Sequence, residues 1–234
     1  MTEIEALPQK VVGREIVILK GRIDPTMARL FGEKVKRKFF VRLGLLRPKP
    51  EEIQLISVDK YYEPYIVVGG KYAVDYCKKY FFRVKVNEKV ESLVILGKKF
   101  KPEPSSGAVR FEGEGHFHYE DQAYFILDRM GREVVPEQLS YAPFEEEPKN
   151  LEEISRKSRE VKISPQQEIE FLRSRIVNRP SGVDEVTKEW FEVNQRTVIY
   201  IPTYELIFQN VKTGKEAIVE IDGITGKIIR YRKS

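Results

Sequence analysis

From Tyr72 to Val86 the chain alternates with a period of two: Tyr72, Val74 and Tyr76 stand against Ala73, Asp75 and Cys77, and Tyr80, Phe82, Val84 and Val86 against Phe81, Arg83 and Lys85. Successive side chains take opposite faces only in an extended strand, so this stretch predicts a long strand with one aromatic, buried face and one mixed face. Two other β-branched and aromatic runs, Tyr62–Val68 and Tyr200–Leu206, begin alike, each with a proline near its start. A proline there marks an edge or a first strand position, where no ladder donor is needed. Ile53–Val58 and Tyr65–Val68 read as short strands, with Gly69-Gly70 as a two-residue hairpin turn leading into the long one.

Helical signals lie between the strand-like stretches. Asp24-Pro25 is an N-cap residue followed by proline at the first helical position, and predicts a helix over 25–43 that buries Met27, Leu30, Phe31, Val35 and Phe39. Ser164-Pro165-Gln166-Gln167 is a capping box that opens a helix running to about Val177, ahead of Asn178-Arg179-Pro180. A further helix is expected from Val183 to about Phe191. Two proline-bearing segments, Lys101–Gly107 and Pro143–Pro148, read as linkers. The expected fold class is α+β: two small, mainly antiparallel sheet modules, each with packed helices, joined by proline-rich segments. The boundaries fall at residues 1–103 (basic helix and Tyr-rich sheet), 104–148 (hairpin-containing connection) and 149–234 (helices and a second sheet).

Charge divides the chain more sharply than its net +5 suggests. Residues 1–110 carry 23 Lys and Arg against 13 Asp and Glu, whereas residues 111–234 carry 18 against 23. The basic excess is densest around Arg29, Lys34, Lys36, Arg37, Lys38 and Arg42, where a helix could track phosphates or form a solvated face. No motif of a helix-turn-helix, zinc finger or RNA-binding sheet accompanies it. The high charged fraction, with one Cys and three Met, resembles hyperthermophile composition, and a thermophilic archaeal or bacterial source is the expectation. No apolar run approaches the ~20 residues of a membrane helix. The amino terminus lacks a basic and then hydrophobic leader, which predicts a cytoplasmic protein.

The order helix, strand, Gly turn, strand, Asp222-Gly223-Ile224-Thr225-Gly226, strand over the last fifty residues resembles a PepSY-type domain, whose hallmark is a strand running into an Asp-x-x-Thr-Gly turn. The resemblance implies a small α+β module, often regulatory or peptidase-associated, and carries no catalytic residue. Asp222 is suited to accept backbone hydrogen bonds within the turn, and Gly223 and Gly226 to adopt positive φ.

The chemical constellation of the chain is Glu114-Gly115-His116-Phe117-His118-Tyr119-Glu120, which holds both of its histidines. On a strand His116 and His118 share a face, and with Glu114 or Glu120 they offer nitrogen and oxygen donors for zinc or another divalent ion; an exposed strand end is the alternative. Cys77 reads as a small apolar strand residue. No Gly-rich phosphate loop, no nucleophile beside a usable histidine and no carboxylate pair signals an enzyme, and no cofactor is expected. The expected function is non-catalytic binding or assembly through a protein partner. Nucleic acid at the basic helix, or a metal-dependent reaction at His116 and His118, are the alternatives.

Overall fold

A computed structural model describes residues 9–41, 47–145 and 151–233. Strands β1 (Gln9–Val11), β2 (Glu15–Ile18), β3 (Ile53–Lys85), β4 (Leu93–Ile95), β5 (Lys98–Phe100), β6 (Ala108–Asp128), β7 (Glu185–Asn210), β8 (Glu216–Asp222) and β9 (Ile228–Lys233) alternate with helices α1 (Pro25–Val35), α2 (Leu151–Lys157) and α3 (Pro165–Ile176). Seven strands share one sheet in the order β6-β3-β7-β8-β9, with β1 and β2 also on β7, while β4 and β5 form a separate hairpin. Among the described residues strands make up 52% and helices 18%, and the helices are few and short. The expected α+β class with packed helices in each module is therefore corrected to a mostly β protein.

Two local features depart from that expectation. Gly69-Gly70 does not turn, and β3 runs through it for 33 residues. A side chain at Gly69 would enter the Tyr124 ring, so the glycine makes room for an aromatic residue on the neighbouring strand. Residues 185–191 belong to β7, where Phe191 and Val193 are buried at strand spacing, rather than to a helix.

The chain divides into two compact units. One holds residues 1–11, 70–123 and 173–192, and the other residues 12–69, 124–172 and 193–234. In the second unit β7 pairs antiparallel with β8, Thr203 opposite Asp222 through Gln209 opposite Glu216, and parallel with β2, Glu15 opposite Thr197. Tyr204, Leu206 and Phe208 of β7 and Ala217, Val219 and Ile221 of β8 present one buried face, covered by Ala28 and Phe31 of α1 and by Phe39. Asp24 caps α1 by accepting from the Met27 amide at 2.8 Å, but α1 stops at Val35 and continues as a 3₁₀ turn over Lys36–Phe40. Its buried residues are Ala28 and Gly32, whereas Met27 and Leu30 are exposed. The helix is thus rotated from the expected stripe, because Gly32 lets its backbone lie against Leu206 and Phe208.

The Asp222 turn forms as its residues dictate. One carboxylate oxygen of Asp222 accepts from the amides of Ile224 (2.9 Å) and Thr225 (2.6 Å) and from the Thr225 hydroxyl (2.9 Å), and the other accepts from Ser140 Oγ at 2.6 Å. Gly226 has φ +72°, but Gly223 does not adopt positive φ; a Cβ there would meet the Pro202 carbonyl at 2.6 Å. The capping box of α3 is reciprocal: the Gln167 amide donates to Ser164 Oγ at 3.2 Å, and the Ser164 amide to Gln167 Oε1 at 2.7 Å. Among the described residues no helix is long and apolar enough to cross a membrane.

Candidate functional site

In the first unit β6 and β3 place the chemistry of the chain on one face and a row of aromatic rings on the other. On the polar face, Cys77 Sγ lies 3.1 Å from His116 Nδ1, and His116 Nε2 lies 3.3 Å from Glu114 Oε1. Two residues along β6, His118 Nδ1 pairs with Asp75 at 2.6 Å, and its Nε2 faces Glu120 at 3.5 Å, which in turn pairs with Lys71 at 2.6 Å. His116 and His118 thus share the face expected from their spacing, yet each has its own partners from β3. Both partners, Asp75 and Cys77, stand on the mixed face of the 72–86 alternation, and that alternation was the signal that could have found them.

The electrostatics of the two groups differ. Hydrogen bonding to Asp75 and then Glu120 raises the His118 pKa and favours its charged form. Burial, reinforced by Glu114, raises the Cys77 thiol above its ordinary value. A nucleophilic cysteine requires the opposite shift.

On the other face, Phe100, Phe111, Phe82, Tyr80, Phe117 and Tyr76 form a chain of ring contacts with centroid separations of 5.3–6.2 Å. Gly113 and Gly115 lie beneath it. A Cβ on Gly113 would sit 2.8 Å from the Phe82 ring, and one on Gly115 2.8 Å from the Phe117 ring. Rings laid over strand glycines recover the packing that those residues lack. Tyr80, Phe82 and Phe117 nevertheless remain exposed, as does Phe81 on the opposite face under the Arg110 guanidinium.

The aromatic face ends in a buried polar group. The fully buried Tyr72 donates its hydroxyl to Glu189 at 2.6 Å, and Arg179 binds the same carboxylate through two nitrogens. Arg179 first, then Tyr72, holds the Glu189 carboxyl below its ordinary 4.5 against the cost of burial. A depressed folded value means that this contribution to stability is complete above about pH 4.5 and is lost as pH falls through the folded value. Urea unfolding followed through the acid range should therefore show a shallower loss of stability in Glu189→Gln than in the parent protein; equal acid limbs would remove Glu189 as a cause.

The basic helix offers fewer free cations than its sequence suggests. Lys36 Nζ donates to the Ile53 carbonyl at 2.7 Å and pairs with Glu33 at 2.8 Å, and Arg37 donates to the Pro48 carbonyl at 2.9 Å. Arg29, Lys34 and Lys38 are exposed, with Lys34 over the Phe31 ring, while Arg42 lies outside the described residues. A cleft of about 640 Å³ in the second unit is lined by Glu63, Asp128, Glu137 and Asp222. Three of these acids are engaged already: Asp222 in its turn, Asp128 with Arg132, and Glu63 with Arg129 and Arg159. Comparison of the chain with protein-family models, with curated proteins and with solved structures returns no match.

Proposed function

We propose that the protein is a binding and assembly component acting through protein–protein contacts, and that the contact is the outer edge of β6 paired with the same strand of a second copy. The observation that carries this reading is the charge pattern of that edge. Among the described strands β6 pairs with β3 alone, so its outer side presents unpaired backbone donors and acceptors. Edge charges usually deter pairing, and β6 carries Arg110, Glu112, Glu114 and Glu120. Run antiparallel about Gly115, however, the strand matches itself: Arg110 meets Glu120 of the second copy, Glu112 meets His118, and Glu114 meets His116. On the other face Phe111 meets Tyr119 and Phe117 covers Gly113, the cross-strand pairings that favour a ladder. Two-fold pairing repeats each contact, as an isologous interface requires.

Light scattering coupled to size exclusion over a concentration series should find a dimer. Arg110→Glu, which sets a carboxylate against Glu120 twice per dimer, should weaken it by about tenfold, at roughly 0.2–1 kcal/mol per cross-strand pair and with added like-charge repulsion. Arg110→Glu combined with Glu120→Arg should restore it. A monomer throughout the series, or a dimer indifferent to Arg110→Glu, would overturn the reading. Salt-sensitive retention of nucleic acid by that monomer would point to Arg29, Lys34 and Lys38 instead. The Asp222 turn, with its saturated carboxylate, supports a PepSY-like reading of the final strands as a scaffold rather than a site.

A further inference from the structure

Cys77, Glu114 and His116 stand out because three different donor types converge from two strands. One ligand atom from each lies within 4.8 Å of the other two. Glu114 and His116 are two apart on β6 and so project from one face, and Cys77 meets them from β3. The thiol forms the floor, 3% exposed, while the imidazole and carboxylate stand on the solvent side. A tetrahedral centre with metal–sulfur and metal–nitrogen or –oxygen bonds of about 2.3 and 2.0–2.2 Å holds its donors roughly 3.3–3.7 Å apart. His116 meets Cys77 through Nδ1 at 3.1 Å and Glu114 through Nε2 at 3.3 Å, so a metal taken by one ring nitrogen requires the three donors, within 4.8 Å of one another, to draw in slightly, which the two exposed side chains are free to do.

We propose that Cys77, Glu114 and His116 form a three-donor site for a divalent transition metal of the Zn²⁺ class, with the fourth position open to water. Thiolate, carboxylate and neutral imidazole together supply two negative charges, which match a dication. The sulfur selects a borderline-soft ion over Mg²⁺ or Ca²⁺, whose ligands are oxygens. The set differs from the one the His-x-His spacing suggests. His118 and Glu120 are held apart by Asp75 and Lys71, and Cys77 takes their place. The site goes beyond the assembly reading and needs one chain only.

Titration of the metal-free protein with Co²⁺ and Zn²⁺ tests it. Co²⁺ should produce a thiolate-to-metal charge-transfer band that saturates at one ion per chain, and Zn²⁺ should abolish it by competition. Cys77→Ser should remove the band. His116→Ala and Glu114→Gln, at exposed positions where folding is not at stake, should each weaken Zn²⁺ binding at least about tenfold, the upper range being set by ligand rather than outer-shell loss. His118→Ala should keep both the band and the affinity. Absence of the band in the parent protein, binding unchanged in His116→Ala, or loss of binding in His118→Ala would each overturn the assignment.

Discussion

Arg159→Ala should destabilise the protein by about 3–5 kcal/mol, the usual cost of removing one partner from a buried ionic group. Arg159 follows α2 and reaches three carboxylates of the sheet: Glu63 at 3.2 Å, Glu205 at 3.2 Å and Glu220 at 2.7 Å. Its guanidinium also lies 4.2 Å from the centre of the Tyr61 ring. Glu63 and Glu220 are almost wholly buried. Burial already pushes the Glu63 carboxyl above its usual range despite Arg159, Arg230 and Arg129, so little capacity remains for a second uncompensated charge. Arg230, 3.7 Å from Glu220, and Arg129, 3.6 Å from Glu63, leave these carboxylates partly compensated and place the expected loss toward the lower end of the range. Arg159→Lys should fall between, since an ammonium cannot serve three carboxylates in a plane. Adding Glu63→Gln and Glu220→Gln to Arg159→Ala should recover much of the loss. Urea unfolding near neutral pH measures all three; a loss under about 1 kcal/mol in Arg159→Ala would show a solvated pair instead.

Glu168→Ala should cost a similar about 3–5 kcal/mol, for the mirror-image reason. Glu168 has no exposed surface, sits in the first turn of α3 and binds Arg14 with one oxygen and Arg196, at 3.2 Å, with the other. Without it two guanidiniums face each other. Burial, and then Arg196, already lower the Arg14 pKa, which is the signature of that conflict. Because a loss of 3 kcal/mol corresponds to about 6–12 °C for a chain of this size, thermal unfolding suffices to detect it. Glu168→Gln separates the two contributions, since the amide keeps one acceptor and loses the charge. If Glu168→Gln melts with the parent, the carboxylate's charge is not what holds Arg14 and Arg196.

Neither network is legible in the sequence, and the reason is physical. Arg159 is 46 residues from Glu205 and 61 from Glu220, and Glu168 is 154 from Arg14. Such pairs are decided by which strands become neighbours, and local periodicity carries no information about that. What periodicity does carry was readable: the alternation at 72–86, the reciprocal cap at Ser164 and Gln167, and the hydrogen bonds gathered by Asp222. Punctuation was less reliable. Gly69-Gly70 has the composition of a turn, but Gly69 serves to admit the Tyr124 ring, a partner 55 positions away. The helix expected over 183–191 is not formed: from Glu185 on, Val186, Thr187 and the buried Phe191 and Val193 follow the pleat of β7. At the candidate site, the shared face of His116 and His118 followed from their spacing. The pairing of β6 with β3, which brings Cys77 to one histidine and Asp75 to the other, did not.

The unbroken run of β3 also bears on how a gene for this protein can vary. A substitution in a 33-residue strand alters one position, but a single-codon deletion inside it reverses the facing of every residue beyond the lesion. A deletion near Ile66 would turn Tyr72, Val74 and Tyr76 outward and Asp75 inward, stripping the aromatic row and the donor set together. Length variation should therefore concentrate in the turns at 86–92, 101–107 and 211–215, leaving the reading frame of the long strands fixed even where their residues drift.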